Sequence, residues 1–139
     1  MNHAIVYLTK TGHSKKIAEA IAESLSTSAL DIKTRPKVGE VDLLFIVGGL
    51  YGKRSDPMML EFVKGLSPKK IKKAVLVTSS AVGDLKQSAV RAELSNRGIA
   101  VDSKEFCCKG SFLFFYLGHP NQEEIEKAVA FSKSFLKKE

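Results

Sequence analysis

Three short apolar runs, at residues 4–8, 43–47 and 74–78, read Ala-Ile-Val-Tyr-Leu, Leu-Leu-Phe-Ile-Val and Ala-Val-Leu-Val-Thr, and helical patterns separate them. A strand with one wet face alternates apolar and polar residues, so runs without alternation predict strands covered on both faces. Strands that alternate with helices imply parallel pairing through right-handed crossovers, with helices on both sides. Two weaker segments, 29–33 and 99–106, have mixed polarity and read as edge strands. The sum is an α/β fold, a three-layer doubly wound five-stranded parallel sheet.

The helices have clear signals. Ile17, Ala18, Ile21, Ala22 and Leu25 form one apolar stripe after the first strand. Asp56 is an N-cap with Pro57 at the first helical position, and Met59, Phe62, Val63 and Leu66 face inward from there. Asp84 and Gln87 have capping-box spacing for a helix that ends at Arg97 and Gly98. Asn121 and Glu124 open a last helix with Ile125, Ala128, Val129, Ser132 and Leu136 on one face.

With 139 residues the chain is expected to be one domain, 1–139, able to bury a core without disulfides or a metal. No apolar run is long enough to cross a bilayer, and no export signal precedes the first strand, so a cytoplasmic location is expected. Cys107 and Cys108 are neighbours, make no disulfide framework and read as buried small hydrophobes. No His, Cys and carboxylate spacing suggests a metal site. The net charge of +7 admits an acidic partner. The densest cationic cluster, Lys69, Lys70, Lys72 and Lys73, reads as a solvated loop, and no aromatic or zinc-finger signature for nucleic acid accompanies it.

In a doubly wound sheet the ligand lies beyond the carboxyl ends of the strands, where the winding direction reverses. The loops 9–14, 48–55 and 79–84 leave those ends and bring glycine and hydroxyl residues together there. The first reads Thr9, Lys10, Thr11, Gly12, His13, Ser14 and runs straight into a helical pattern. A helix N-terminus has unpaired amides and partial positive charge, so it suits a phosphate. One hydroxyl suffices for an ordinary N-cap. Three in six residues favour an anion site.

Ile5, Val6, Tyr7, Thr9, Gly12, Ser14, Ala18 and Ile21 resemble the opening strand, turn and helix of the flavodoxin family. The stretch Gly48, Gly49, Leu50, Tyr51, Gly52 resembles that family's second loop. The resemblance covers the chain in element order and implies a flavodoxin-like sheet of order 2-1-3-4-5 without an insertion in strand five. It implies FMN as cofactor, with Thr9, Lys10, Thr11, Gly12, His13 and Ser14 around the phosphate. Tyr51, flanked by Gly49, Leu50 and Gly52, would stack on the flavin ring, and Ser79, Ser80, Ala81, Val82, Gly83 and Asp84 would line its other edge. No side chain is then required as a catalyst, because the flavin carries the electrons.

This chain departs from that pattern in three ways. The third loop contains no aromatic residue, so a second ring face would be covered from residues 112–116 or not at all. The tail from Cys107 through Pro120 resembles flavodoxin-domain proteins other than the electron carriers. The chain is basic, and Asp84 faces Lys10, Lys53 and Arg54 in the neighbouring loops, so the reduced flavin should be less disfavoured than in acidic flavodoxins.

Other doubly wound functions lack their residues. Glycines stand where a receiver domain carries its aspartate, the first turn lacks a phosphatase cysteine and arginine, and no nucleoside-triphosphate loop is present. Two readings remain. One is an FMN-binding redox protein that passes electrons to an acidic protein partner, or from a reduced nicotinamide to a small acceptor, with no role for nucleic acid or membrane. The other is a flavodoxin-fold interaction module with little or no FMN.

Overall fold

The structure is a computed structural model that describes residues 2–9, 12–51, 54–80, 87–109 and 122–136. Its centre is a parallel sheet formed by β1 (His3–Leu8), β2 (Ala29–Asp31), β3 (Val41–Tyr51), β5 (Ile71–Ser80) and a fifth strand in two pieces, β6 (Ala100–Val101) and β7 (Phe106–Lys109). Both pieces pair with β5, so the order is the expected 2-1-3-4-5. A two-residue strand, β4 (Arg54–Ser55), folds back antiparallel on the end of β3.

Successive residues of the central strands point to opposite faces, and the apolar runs are buried on both. Ile5, Tyr7, Phe45, Val47, Val75 and Val77 pack on α1 (His13–Ser24) and α4 (Gln122–Lys133). Val6, Leu8, Leu44, Ile46, Ala74 and Leu76 pack on α2 (Pro57–Lys64) and α3 (Ser88–Asn96). The α1 stripe is buried as its spacing requires, with Ile17, Ala18 and Ile21 out of contact with water. Each such isoleucine contributes roughly 1.5–3 kcal/mol of burial. On α4 the buried positions are Ala128 and Ser132, with Phe135 just beyond; Phe135 meets Phe45 edge-on at 6.1 Å between ring centres.

Several local expectations need correction. Strand β3 does not stop at Val47, and β5 continues through Ser79 and Ser80. Both are central strands whose backbone groups pair on two sides, which outweighs the poor strand propensity of Gly48, Gly49 and the two serines. Residues 48–51 therefore belong to β3, and Arg54 and Ser55 pair with its last two residues. The second strand ends at Asp31, whose side chain accepts from the Lys33 amide and starts a 3-10 turn at Ile32–Thr34. The fifth strand is interrupted at residues 102–105, where the side chains of Asp102 and Glu105 make polar contacts. Helix α3 begins at Ser88 with Gln87 as its N-cap, so the capping box predicted from Asp84 is not its start. Lys72 and Lys73 belong to β5 and pair with Asp42 and Asp102, each at 3.1 Å, so only Lys69 and Lys70 of that cluster sit in a turn. Cys107 is half-buried within β7, not fully buried.

Candidate functional site

The winding reverses between β1 and β3, whose ends lie side by side with Leu8 opposite Gly48. Further along, Gly49 pairs with Ser79 and Leu50 with Ser80, and Ser79 and Ser80 pair in turn with Cys108 and Lys109. The residues predicted from three separate loops thus meet at one edge of the sheet. Leu50 is only 6% exposed and lies between Ser80 and Ser55 in the ladder.

Beyond β1 the chain turns at Thr9, whose hydroxyl accepts the Gly12 amide at 2.8 Å. The N-cap of α1 is Gly12, in the left-handed region at φ +90°, and not one of the serines or threonines of the turn. An L side chain would be strained at that φ, and glycine is not. No side chain caps α1, and its first turn contains no acidic residue. Instead the exposed Lys15 and Lys16 stand there. A β-carbon built on Gly12 would meet nothing within 4 Å, so φ and not space is what restricts that position. Ser14 is buried at 1% exposure, inside the helix. The side chain of Lys33, which the sequence did not single out, donates to the Thr9 carbonyl at 3.1 Å and braces the turn from the neighbouring crossover.

Tyr7 is the last but one residue of the strand that feeds this turn. Burial pushes its phenol above the ordinary 10.0, Asp31 and Glu19 push the same way, and Lys15 opposes them. Across the edge, the Ser55 hydroxyl on the β4 return is buried without a hydrogen-bond partner among the described residues.

The sequence profile of the flavodoxin domain matches residues 4–110. This chain belongs to the flavodoxin-domain family. It is 32% identical to an uncharacterized protein of Methanocaldococcus jannaschii, over 90% of this chain and 91% of that one. Among solved structures it is similar to a flavodoxin from the domain Archaea, with a TM-score of 0.80 at 13% identity over 99% and 98% of the two chains. It is also similar to oxidised flavodoxin 2 from Bacillus cereus, with a TM-score of 0.72 at 16% identity over the whole of both chains. At such identities the likeness is one of fold.

In this flavodoxin-domain chain the sheet edge is held by a buried polar cluster that the sequence did not reveal. The Glu105 side chain is fully buried and accepts from the Thr78 hydroxyl at 2.7 Å, the Gln87 amide at 2.8 Å and Arg91 at 3.2 Å. Arg91 also donates to the Asp102 carbonyl at 3.0 Å. The buried Gln87 side chain donates to the Val77 carbonyl at 3.1 Å. The break in the fifth strand thereby locks the end of β5 to the start of α3, the two points between which the predicted third loop runs. A signal did exist: Glu105 is an acid inside a predicted strand, and Arg91 lies one helical turn past Gln87.

Thr9, Gly12, Ser14, Gly49, Leu50, Ser79 and Ser80 are therefore brought to one edge, and the backbones of His13 and Tyr51 reach it too. Lys10, Thr11, Gly52, Ala81, Val82, Gly83 and Asp84 lie outside the described residues, as do Lys53, Asn121, His119 and residues 112–116. Among the described residues no group of His, Cys, Asp and Glu could hold a metal ion, and no helix is long and apolar enough to cross a membrane.

Proposed function

We propose that this chain is an FMN-binding redox protein that carries electrons between partners through a non-covalently held flavin. The observation that carries the reading is the start of α1: a left-handed glycine at its cap, no acid in its first turn and two lysines in place of one. Cations at a helix N-terminus oppose the helix dipole. The unliganded end is therefore electrostatically frustrated, and a phosphate relieves it through the free amides.

The residues present fit the group. Thr9 and Gly12 shape the turn, and with Lys10, Thr11, His13 and Ser14 they would hold the phosphate. Gly49 to Gly52, with Tyr51 as the stacking ring, and the segment from Ser79 to Asp84 would line the flavin. Bound there, the flavin supplies one- and two-electron chemistry, so the chain's own task is binding, orientation and tuning of charge. The partner is a redox protein with an acidic docking face, in keeping with the net charge of +7.

The third loop without an aromatic residue favours the alternative, a domain of this fold with little or no FMN that serves as an interaction module. Colour separates the two. The redox reading expects purified protein with the visible absorption of oxidised flavin, or apoprotein that quenches FMN fluorescence stoichiometrically. Colourless protein that leaves FMN fluorescence unchanged supports the interaction module.

A further inference from the structure

The crossover from β2 to β3 passes over β1 on the face that carries α2 and α3. It consists of residues 32–40 and contains one 3-10 turn, whereas α1, α2 and α3 fill the crossovers that start from β1, β3 and β5. Parallel strands ordinarily need a dozen or more residues and a helix for such a link. A groove of about 490 Å³ lies between the shortened crossover and α2. Ile32, Leu66 and Ile71 form its buried floor, with Val38 and Phe62 half-buried beside them. Met58 stands at its lip, 44% exposed, the one large hydrophobic side chain so exposed among the described residues.

The charge around this apolar floor is one-sided. Lys33, Arg35, Lys37 and Lys70 line the groove, against Glu61 alone. Among the described residues, Arg35, Lys37 and Lys70 make no ion pair. Arg35 also holds a left-handed backbone at φ +51°, a conformation that glycine adopts at lower cost.

We propose that this groove docks an acidic amphipathic helix of a partner protein, seated where a crossover helix is missing. An apolar stripe on the helix would cover Met58, Phe62 and Val38, and its flanking carboxylates would meet the four cations. A nucleic acid has the charge but no apolar face for the floor. Apart from Lys33, which also donates to the Thr9 carbonyl, the groove residues are separate from the sheet edge, and the proposal holds whether or not flavin is bound.

The test uses a fluorescently labelled synthetic peptide of about 14 residues, some 21 Å as a helix, with leucines at helical spacing and glutamates elsewhere. Anisotropy against the full chain should show saturable binding that weakens as salt rises. The paired substitutions Lys37→Glu and Lys70→Glu should weaken it about tenfold or more. Met58→Glu should also weaken it, at an exposed position whose change leaves the core intact. A peptide of the same composition with its leucines out of helical spacing should bind poorly. The proposal is overturned if no peptide binds, if both peptides bind alike, or if the substitutions leave binding unchanged. It is equally overturned if Met58→Glu converts a dimer into a monomer in sedimentation, because the occupant is then a second copy. Groove-dependent binding of anionic vesicles or of a DNA oligonucleotide, with none of the peptide, also overturns it.

Discussion

A β-carbon added at Gly48 would stand 2.8 Å from Met59 Cε and 2.9 Å from Gln87 Oε1. The methionine end can swing aside, but the Gln87 amide is buried and tied to the Val77 carbonyl. Gly48→Ala should therefore cost about 1–3 kcal/mol by overpacking, read as a lower midpoint in denaturant unfolding; an unchanged midpoint would show that the amide yields. The sequence marked Gly48 as the start of a turn, although it is the last residue of β3 opposite β1. The reason for a glycine there is a side chain 39 positions away, which no local pattern encodes. Tyr7 gives a second test. Its phenol is raised above 10.0 mainly by burial, so the folded state holds that proton more tightly than the unfolded chain. The resulting stability is complete below pH 10.0 and is lost as the pH climbs through the raised value. Tyr7→Phe should lessen the fall of stability with pH on the alkaline side; an identical slope in wild type and variant would contradict the assignment.

Helix α1 is the element on which the site turns, and its first turn is built against its own stability. Replacing the exposed Lys15 by glutamate puts an acid where the helix dipole favours one, a gain of about 0.3–1 kcal/mol in the flavin-free protein. The same change should weaken FMN binding. Opposite signs in thermal unfolding and in flavin titration distinguish an anion site from an ordinary helix end, where stability would rise and FMN affinity stay level. The apolar stripe of α1 and the Asp56–Pro57 start of α2 could be read directly, because they depend on spacing and on caps within a few residues. Strand lengths could not. The glycine pair inside β3 and the serine pair that ends β5 look like turns locally, and only pairing with neighbouring strands keeps them in the ladder. The divided fifth strand escaped notice for a related reason: Glu105 turns toward Thr78, Gln87 and Arg91, contacts that sequence distance hides.

Across the whole molecule the charge is +7, and Lys15, Lys16 and Lys33 lie at or next to the turn proposed for the phosphate. Positive surroundings favour added negative charge. The second-electron midpoint of the reconstituted flavin should therefore lie above that of acidic flavodoxins in a redox titration at low salt; a midpoint as low as theirs would mean that the net charge does not reach the ring. The three layers follow from the alternation of apolar runs and helical stripes, the order 2-1-3-4-5 is the one the family resemblance implies, and predicted residues gather at the sheet edge because the winding reverses there. The claim on which all of this depends is that the start of α1 holds the phosphate, and the most direct measurement compares two flavins that differ only in that group. In parallel titrations of the apoprotein, FMN should bind about a hundredfold or more tightly than riboflavin, the worth of two charge-assisted hydrogen bonds at roughly 1.5 kcal/mol each. Equal affinities, or no binding of either flavin, would contradict it.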